Sequence, residues 1–304
     1  MKDTHLGMRL SLAIALPFAV PLLLAVLAAE ATAQPSVAEP RRLYNQTDYR
    51  GALTLVKKLP AQNGAALELA GRCRYFMGDY KSAIDDLEKS VQLEPGVSDH
   101  YLWLGRAWGR RAETSVFFMA VKYASETRKN FEKAVQLNPA NLEAVNDLLS
   151  FYLDAPGFLG GGLDPATKLT ETIRQHDPVE YQCALAQISI HRKDFDAAEG
   201  QLRKAVEMAP RRINRLVDLA KFLAGRGKLR ESDALFDQAA GIDPNDKRLL
   251  YGRAETYIKG KRNLSAARKS LEAYLQADLT PDDPSREDAR KLIQRAASGG
   301  GSGD

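Results

Sequence analysis

The sequence predicts an all-α chain in which about six to seven helix pairs stack into an α-α superhelix, closed at the carboxyl end by a capping helix. Two observations carry this. The stretch from Gly64 to Pro95 reads as two amphipathic helices around a tight turn. Variants of the same stretch recur along the chain, so that Pro244 stands 34 residues after Pro210. A helix pair of this size cannot bury its apolar faces alone, so neighbouring pairs must cover them.

In the Gly64 unit, Leu67, Ala70, Gly71 and Arg74 fall at three- and four-residue steps, which puts small and apolar side chains on one helical face. Gly78-Asp79 then breaks the period, since glycine takes positive φ cheaply and aspartate favours turns. The second run carries Tyr80, Ala83, Leu87 and Val91 and stops before Pro95.

Before this unit, residues 1–33 form a segment of another kind. Lys2 and Arg9 precede an apolar run from Leu10 to Ala29, and Ala31-Thr32-Ala33 supplies a small-residue cleavage pattern. This predicts a signal peptide cut after Ala33 and a periplasmic or secreted protein, with no stable membrane span after cleavage. The alternative is a membrane anchor formed by the uncleaved segment. Residues 34–42, with Pro35 and Pro40, read as a linker, and the helical array is expected over 43–297. Its first helix holds Ala52, Leu53, Val56 and Leu59, with Val37 to Leu43 as an incomplete partner, as suits the end of a stack.

The unit starting near Ser98 is longer than the Gly64 unit. Gly105 and Pro139 stand 34 apart where Gly71 and Pro95 stand 24 apart, which places about ten inserted residues around Arg110 to Ala124, in the turn between the two helices. The next unit, Leu142 to Pro178, is stretched by about five residues at the same point, by the glycine-rich run Asp154 to Pro165. Because the two units are adjacent, their insertions are expected side by side. Val116, Phe117, Phe118 and Met119 would then meet Phe158 and Leu159 on one edge, where Phe117, Phe118, Phe158 and Leu159 are candidate partner-binding residues. Gly160-Gly161-Gly162 lacks the Gly-Lys-Ser/Thr ending of a phosphate loop and reads as a shaped turn.

Two regular units follow, Val179 to Pro210 and Ile213 to Pro244. A looser one carries Leu250, Ala254, Tyr257, Ala267, Leu271 and Tyr274. Ser285 with Asp288 opens the capping helix, and residues 298–304 are a Gly/Ser tail expected to be disordered.

Composition narrows the function classes. The 304 residues hold 43 Lys and Arg against 39 Asp and Glu, a net charge of +4 that falls short of the dense basic patches of a nucleic-acid binder. Cys73 and Cys183 lie in units three repeats apart, too far for a disulfide, and read as small buried side chains. No histidine stands with a cysteine or carboxylate at metal-ligand spacing, and no nucleophile elbow appears. The reading is therefore non-enzymatic, with no catalytic residue, cofactor or metal.

Tyr101, Leu104, Gly105 and Trp108, followed by Phe131, Ala134 and Pro139, resemble the tetratricopeptide repeat pattern. The GDY turn, LWLGRAWGRRAE, YLDAPGFLGGG and LTPDDPSREDARKL together resemble a group of exported bacterial tetratricopeptide repeat proteins of undefined function. That resemblance implies a concave groove lined by the first helices. Carried over position by position, the groove residues are Arg72, Tyr75, Arg106, Arg110, Asn146, Gln187, Lys221, Arg248 and Tyr251. The set is basic and partly aromatic, which implies a protein or peptide partner of acidic character. Glu68 and Leu102 stand where the family's carboxylate clamp requires lysine. The expected role is a protein-binding scaffold or adaptor in the cell envelope. The alternative is an accessory or substrate-capturing subunit of a separate envelope enzyme complex.

Overall fold

The computed structural model describes residues 36–60 and 63–299, so the segment 1–33 and the last five residues lie outside it. Fifteen α-helices follow one another: α1 (Ala38–Asn45), α2 (Tyr49–Val56), α3 (Gly64–Phe76), α4 (Tyr80–Leu93), α5 (Ser98–Glu113), α6 (Phe117–Leu137), α7 (Leu142–Asp154), α8 (Leu163–His176), α9 (Pro178–His191), α10 (Phe195–Met208), α11 (Ile213–Gly225), α12 (Leu229–Ile242), α13 (Lys247–Lys259), α14 (Leu264–Gln276) and α15 (Arg286–Gly299). No strand occurs among the described residues. Seven antiparallel pairs, α1–α2 to α13–α14, pack each on the next, and α15 covers α13 and α14. This is the predicted superhelix.

Local chemistry sets the period. In α2, α4 and α10, Asp48, Asp79 and Asp194 accept the N–H three residues on, and a left-handed residue precedes each: Thr47, Gly78 and Lys193. At the other edge, Asn63, Asn141, Asp177 and Asp246 cap α3, α7, α9 and α13 in the same way. Small residues let the paired helices approach. A Cβ on Gly71 would lie 2.4 Å from Leu87 Cγ, and one on Gly105 2.6 Å from Phe131 Cδ1. Ala186 and Ala220 occupy the matching buried positions.

Three boundaries differ from the sequence reading. The linker expected over 34–42 is helical from Ala38, because Pro40 sits in the first turn of α1, where its missing N–H has no intrahelical partner to lose. Of the tail expected over 298–304, Ser298 and Gly299 belong to α15, and the rest lies outside the described residues. The third concerns the insertion in the α5–α6 unit, which is no loop. Thr114 to Val116 form a turn of the usual three residues, while α5 gains three residues and α6 seven beyond their counterparts α3 and α4. Outside that turn no glycine or proline stands between Arg110 and Ala124, so the extra residues lengthen the hairpin.

The second insertion does lie in its turn, Ala155 to Gly162, around a short 3-10 turn at Gly157–Leu159. Gly160 and Gly162 take positive φ, and a Cβ on Gly161 would stand 1.9 Å from the Ala155 carbonyl oxygen. The N–H groups of Gly160, Gly161 and Gly162 donate to the carbonyls of Gly157, Pro156 and Tyr152. Those three donors are thus spent on the turn itself, which agrees with its reading as structural rather than phosphate-binding.

Candidate functional site

The first helices of successive pairs line one face of the stack, and two clefts on it collect most of the predicted groove residues. On α5, Arg106, Gly109, Arg110 and Glu113 form one stripe at helical spacing. Facing it on α7 stand Asp147, Ser150, Phe151 and Asp154, while Ala124, Thr127 and Phe131 of α6 form the floor. Tyr75 closes one end, and Pro156 with Leu159 of the long turn close the other. The cleft encloses about 450 Å³, with an apolar floor and a rim of both charges.

A smaller cleft of about 190 Å³ gathers Lys221, Arg248 and Tyr251 with Asp218 and Asp283. Arg72, Asn146 and Gln187 join neither cleft. Arg72 pairs with Glu68 of its own helix and with Asp99, and lies 4.6 Å from the Trp103 ring centroid. Asn146 donates to Glu180 at 3.2 Å, and Gln187 is half-buried on α9.

The groove's cations are already engaged. Arg106 pairs with Asp147 at 2.6 Å and Glu143 at 3.1 Å, Arg110 pairs with Glu113 and lies against Tyr80, and Lys221 pairs with Glu255 at 2.7 Å. Burial alone would lower the pKa of Arg106, but Asp147 and Glu143 outweigh it and hold it above the usual arginine value. Of the predicted groove arginines and lysine, Arg248 is the one that forms no ion pair among the described residues. Glu68, at a clamp position, is buried between Arg41 and Arg72 and takes no place in the groove.

Most of these carboxylates stand about one repeat further along the chain: Glu180 follows Asn146 by 34 residues and Glu255 follows Lys221 by 34. That spacing is the sequence signal for pairing between consecutive first helices. Phe151 and Asp147, which the groove positions omit, follow from the same stripe on α7.

At the edge of the stack, the insertions do not meet as expected. The long turn packs on α6 at Arg128, whose guanidinium would lie 2.9 Å from a Cβ on Gly160. Phe118 is ten residues nearer the start of α6, about 15 Å along the axis. Leu159 turns into the large cleft, Phe158 stays exposed, and Phe117 pairs edge-on with Phe118 at 5.8 Å.

Two tetratricopeptide repeat family models match the sequence, one over residues 217–284 and one over 65–96. Those two stretches carry tetratricopeptide repeats. Among solved structures, a tetratricopeptide repeat protein from Parabacteroides merdae is similar at 14% identity, covering 86% of this chain and 97% of that one with a TM-score of 0.54. A thermophilic tetratricopeptide repeat protein of Thermus thermophilus is 22% identical over 62% of this chain and 99% of its own, with a TM-score of 0.47. Yeast Tom70 is 18% identical over 84% of this chain and 59% of its own, with a TM-score of 0.48. No curated protein matches in sequence. The Parabacteroides structure shows the common fold, in which these repeats stack as the seven pairs do here. Among the described residues no group of three potential metal ligands converges, and no helix is long and apolar enough to cross a membrane.

Proposed function

We propose that the chain is a non-catalytic scaffold of the cell envelope, which seats a peptide segment of a partner protein in the cleft between the α5–α6 hairpin and α7. Tetratricopeptide repeats typically serve protein–protein interaction, and the cleft supports this use here. One observation carries the reading: Phe131, Phe151 and Leu159 offer an apolar lining, while Arg106, Arg110, Glu113, Asp147 and Asp154 rim it with both charges. Such a site suits a short segment with one or two apolar anchors and polar flanks. Pairing of the groove cations moves the expectation away from a strongly acidic partner and towards an apolar one, with Arg248 of the smaller cleft left to meet a carboxylate. The envelope setting rests on Lys2, Arg9, the apolar run and Ala31-Thr32-Ala33. Sequencing the amino terminus of the protein from cells tests it, with Gln34 as the expected first residue and Met1 marking an uncleaved anchor.

The cleft is tested by panning a random peptide library on the full-length chain. Selected peptides are expected to carry an aromatic or branched aliphatic residue. Their affinity should fall about ten-fold or more in Leu159→Asp and in Ser150→Asp, the weight of one lost buried contact. Ser150 is exposed, so its variant keeps the wild-type melting temperature. Peptides that bind both variants as they bind the wild type would sink the assignment.

A further inference from the structure

The α5–α6 hairpin ends in a cluster of apolar side chains that neither the fold nor the cleft uses. Val116 is 74% exposed, Phe117 69%, Phe118 85% and Met119 40%, all within the turn and first turn of α6. The other exposed large apolar residues of the described chain are scattered singly, apart from Phe158 of the neighbouring turn. Position makes the cluster prominent. α6 runs seven residues, about 10 Å, further towards this edge than α4, α10 or α12. The cluster therefore forms a convex point rather than a groove.

At the point itself, two cations stand behind the apolar side chains. Lys122 follows Phe118 by four residues on the same face of α6, and Arg111 lies over the Tyr123 ring at the end of α5. The carboxylate nearest the point in sequence, Glu113, is taken up by Arg110, and Glu126 by Lys129. Because alternate helices run antiparallel, every turn within a pair falls on this same edge. Two further turns there add Arg192, Lys193, Lys259 and Lys261, and none of these six cations forms an ion pair among the described residues, while the turns next to the point hold the exposed carboxylates Asp79, Asp154 and Asp164. Aromatic and aliphatic side chains at a tip, with unpaired lysine and arginine one turn behind, match the layering of a bilayer interface: apolar groups below the headgroups and cations level with the phosphates.

We propose that this tip docks on an anionic membrane surface, with Phe117 and Phe118 entering the interface and Lys122 and Arg111 facing the lipid phosphates. A second copy of the chain fits less well. Four side chains present at most about 600 Å², below the roughly 800 Å² per partner of a stable pairing. A convex point also needs a matching pocket on a protein, whereas a bilayer closes around it. The proposal stands apart from the peptide cleft, whose lining on α6 begins at Ala124, seven residues beyond Phe117.

The test places a reporter at the tip of the full-length chain. The variant F118W, at a position so exposed that melting should not change, is mixed with phosphatidylcholine vesicles with and without phosphatidylglycerol, each also prepared with brominated acyl chains. Expected is a blue-shifted emission and quenching by the brominated lipid several-fold beyond that of the wild type, whose Trp103 is buried and Trp108 half-buried, and only when phosphatidylglycerol is present. Adding K122Q should weaken the response about five-fold, the share of one cation near such a surface. Because the readout is local to position 118, an anchor elsewhere in the chain does not imitate it. Quenching no greater than wild type, equal quenching on neutral vesicles, or a blue shift that follows protein concentration without lipid would each overturn the proposal.

Discussion

Arg106 of α5 donates from Nε to the Asp147 carboxylate of α7 at 2.6 Å, across the junction of two repeats. The same guanidinium lies 4.6 Å from the centroid of the buried Trp103 ring, whose other neighbour at that distance is Arg72. One planar cation thus ties two first helices and covers an indole, a task that a point charge performs only in part. R106A should cost about 2 kcal/mol, from the lost stacking and from Asp147 left with no partner in a half-buried place. R106K should fall between the two. Urea unfolding followed by Trp103 fluorescence reads the order, and an R106K variant no more stable than R106A would discard the share given to charge.

Close helix approach is tested at Gly105. A methyl there would enter the Phe131 ring at 2.6 Å, with the Thr127 carbonyl oxygen at 3.3 Å behind it. G105A is expected to lose about 1–3 kcal/mol by overpacking, although alanine is the better helix former. At Gly161 the obstacle is a backbone carbonyl at 1.9 Å, so G161A should lower the melting temperature further than G105A. Gly241, on α12 with open space around it, is the control, and G241A should raise stability slightly.

What the sequence discloses follows from which signals are short-range. Gly71 and Gly105 announce a tight crossing because small residues at helical spacing have few other uses, and Gly78-Asp79 announces a turn and a cap together. Lys193, left-handed at φ 61°, gives no such sign, and its turn is legible through Asp194 alone. The length of the α5–α6 insertion is legible, but its placement in a loop fails, because a length difference between repeats carries no label of helix or coil. The absence of glycine and proline from Arg111 to Ala124 is the available clue. Groove side chains are assignable to the right face, but their ion pairs join residues about 34 apart in sequence. These become visible only when one asks what stands a full repeat away.

Acid should loosen the junction between the α9–α10 and α11–α12 pairs through Asp177. Burial pushes its carboxyl up, but the N–H groups of Glu180 and Val179 and the Arg212 guanidinium outweigh that and hold it below the usual aspartate value. A carboxyl depressed in the folded state stabilises above its unfolded pKa, about 3.9, and that stability is lost as pH falls through the folded value. D177N keeps a cap but removes the charge. Its melting temperature should therefore lie below wild type at pH 7, with the gap closing below about pH 4. A gap that stays constant from pH 7 to pH 3 would show that the charge contributes nothing.

The two thiols give the last test, because burial and reactivity predict the same thing from different sides. Cys73 of α3 and Cys183 of α9 are free and buried, and burial pushes each thiol up to about 12. At neutral pH the nucleophilic thiolate is then scarce as well as shielded. A thiol reagent should leave both unmodified in the folded chain and label both on unfolding, and melting should be the same with or without reductant. C73S should destabilise by about 1–3 kcal/mol, because its hydroxyl loses water among Ala66, Leu69 and Ala70 and reaches only a carbonyl of its own helix, already engaged in the backbone ladder. C73A, which loses the sulfur but adds no polar atom, should do less harm. Were the serine variant the better tolerated of the two, the site would be wetter than its packing allows, and the stack would open at its amino-terminal pairs before the rest.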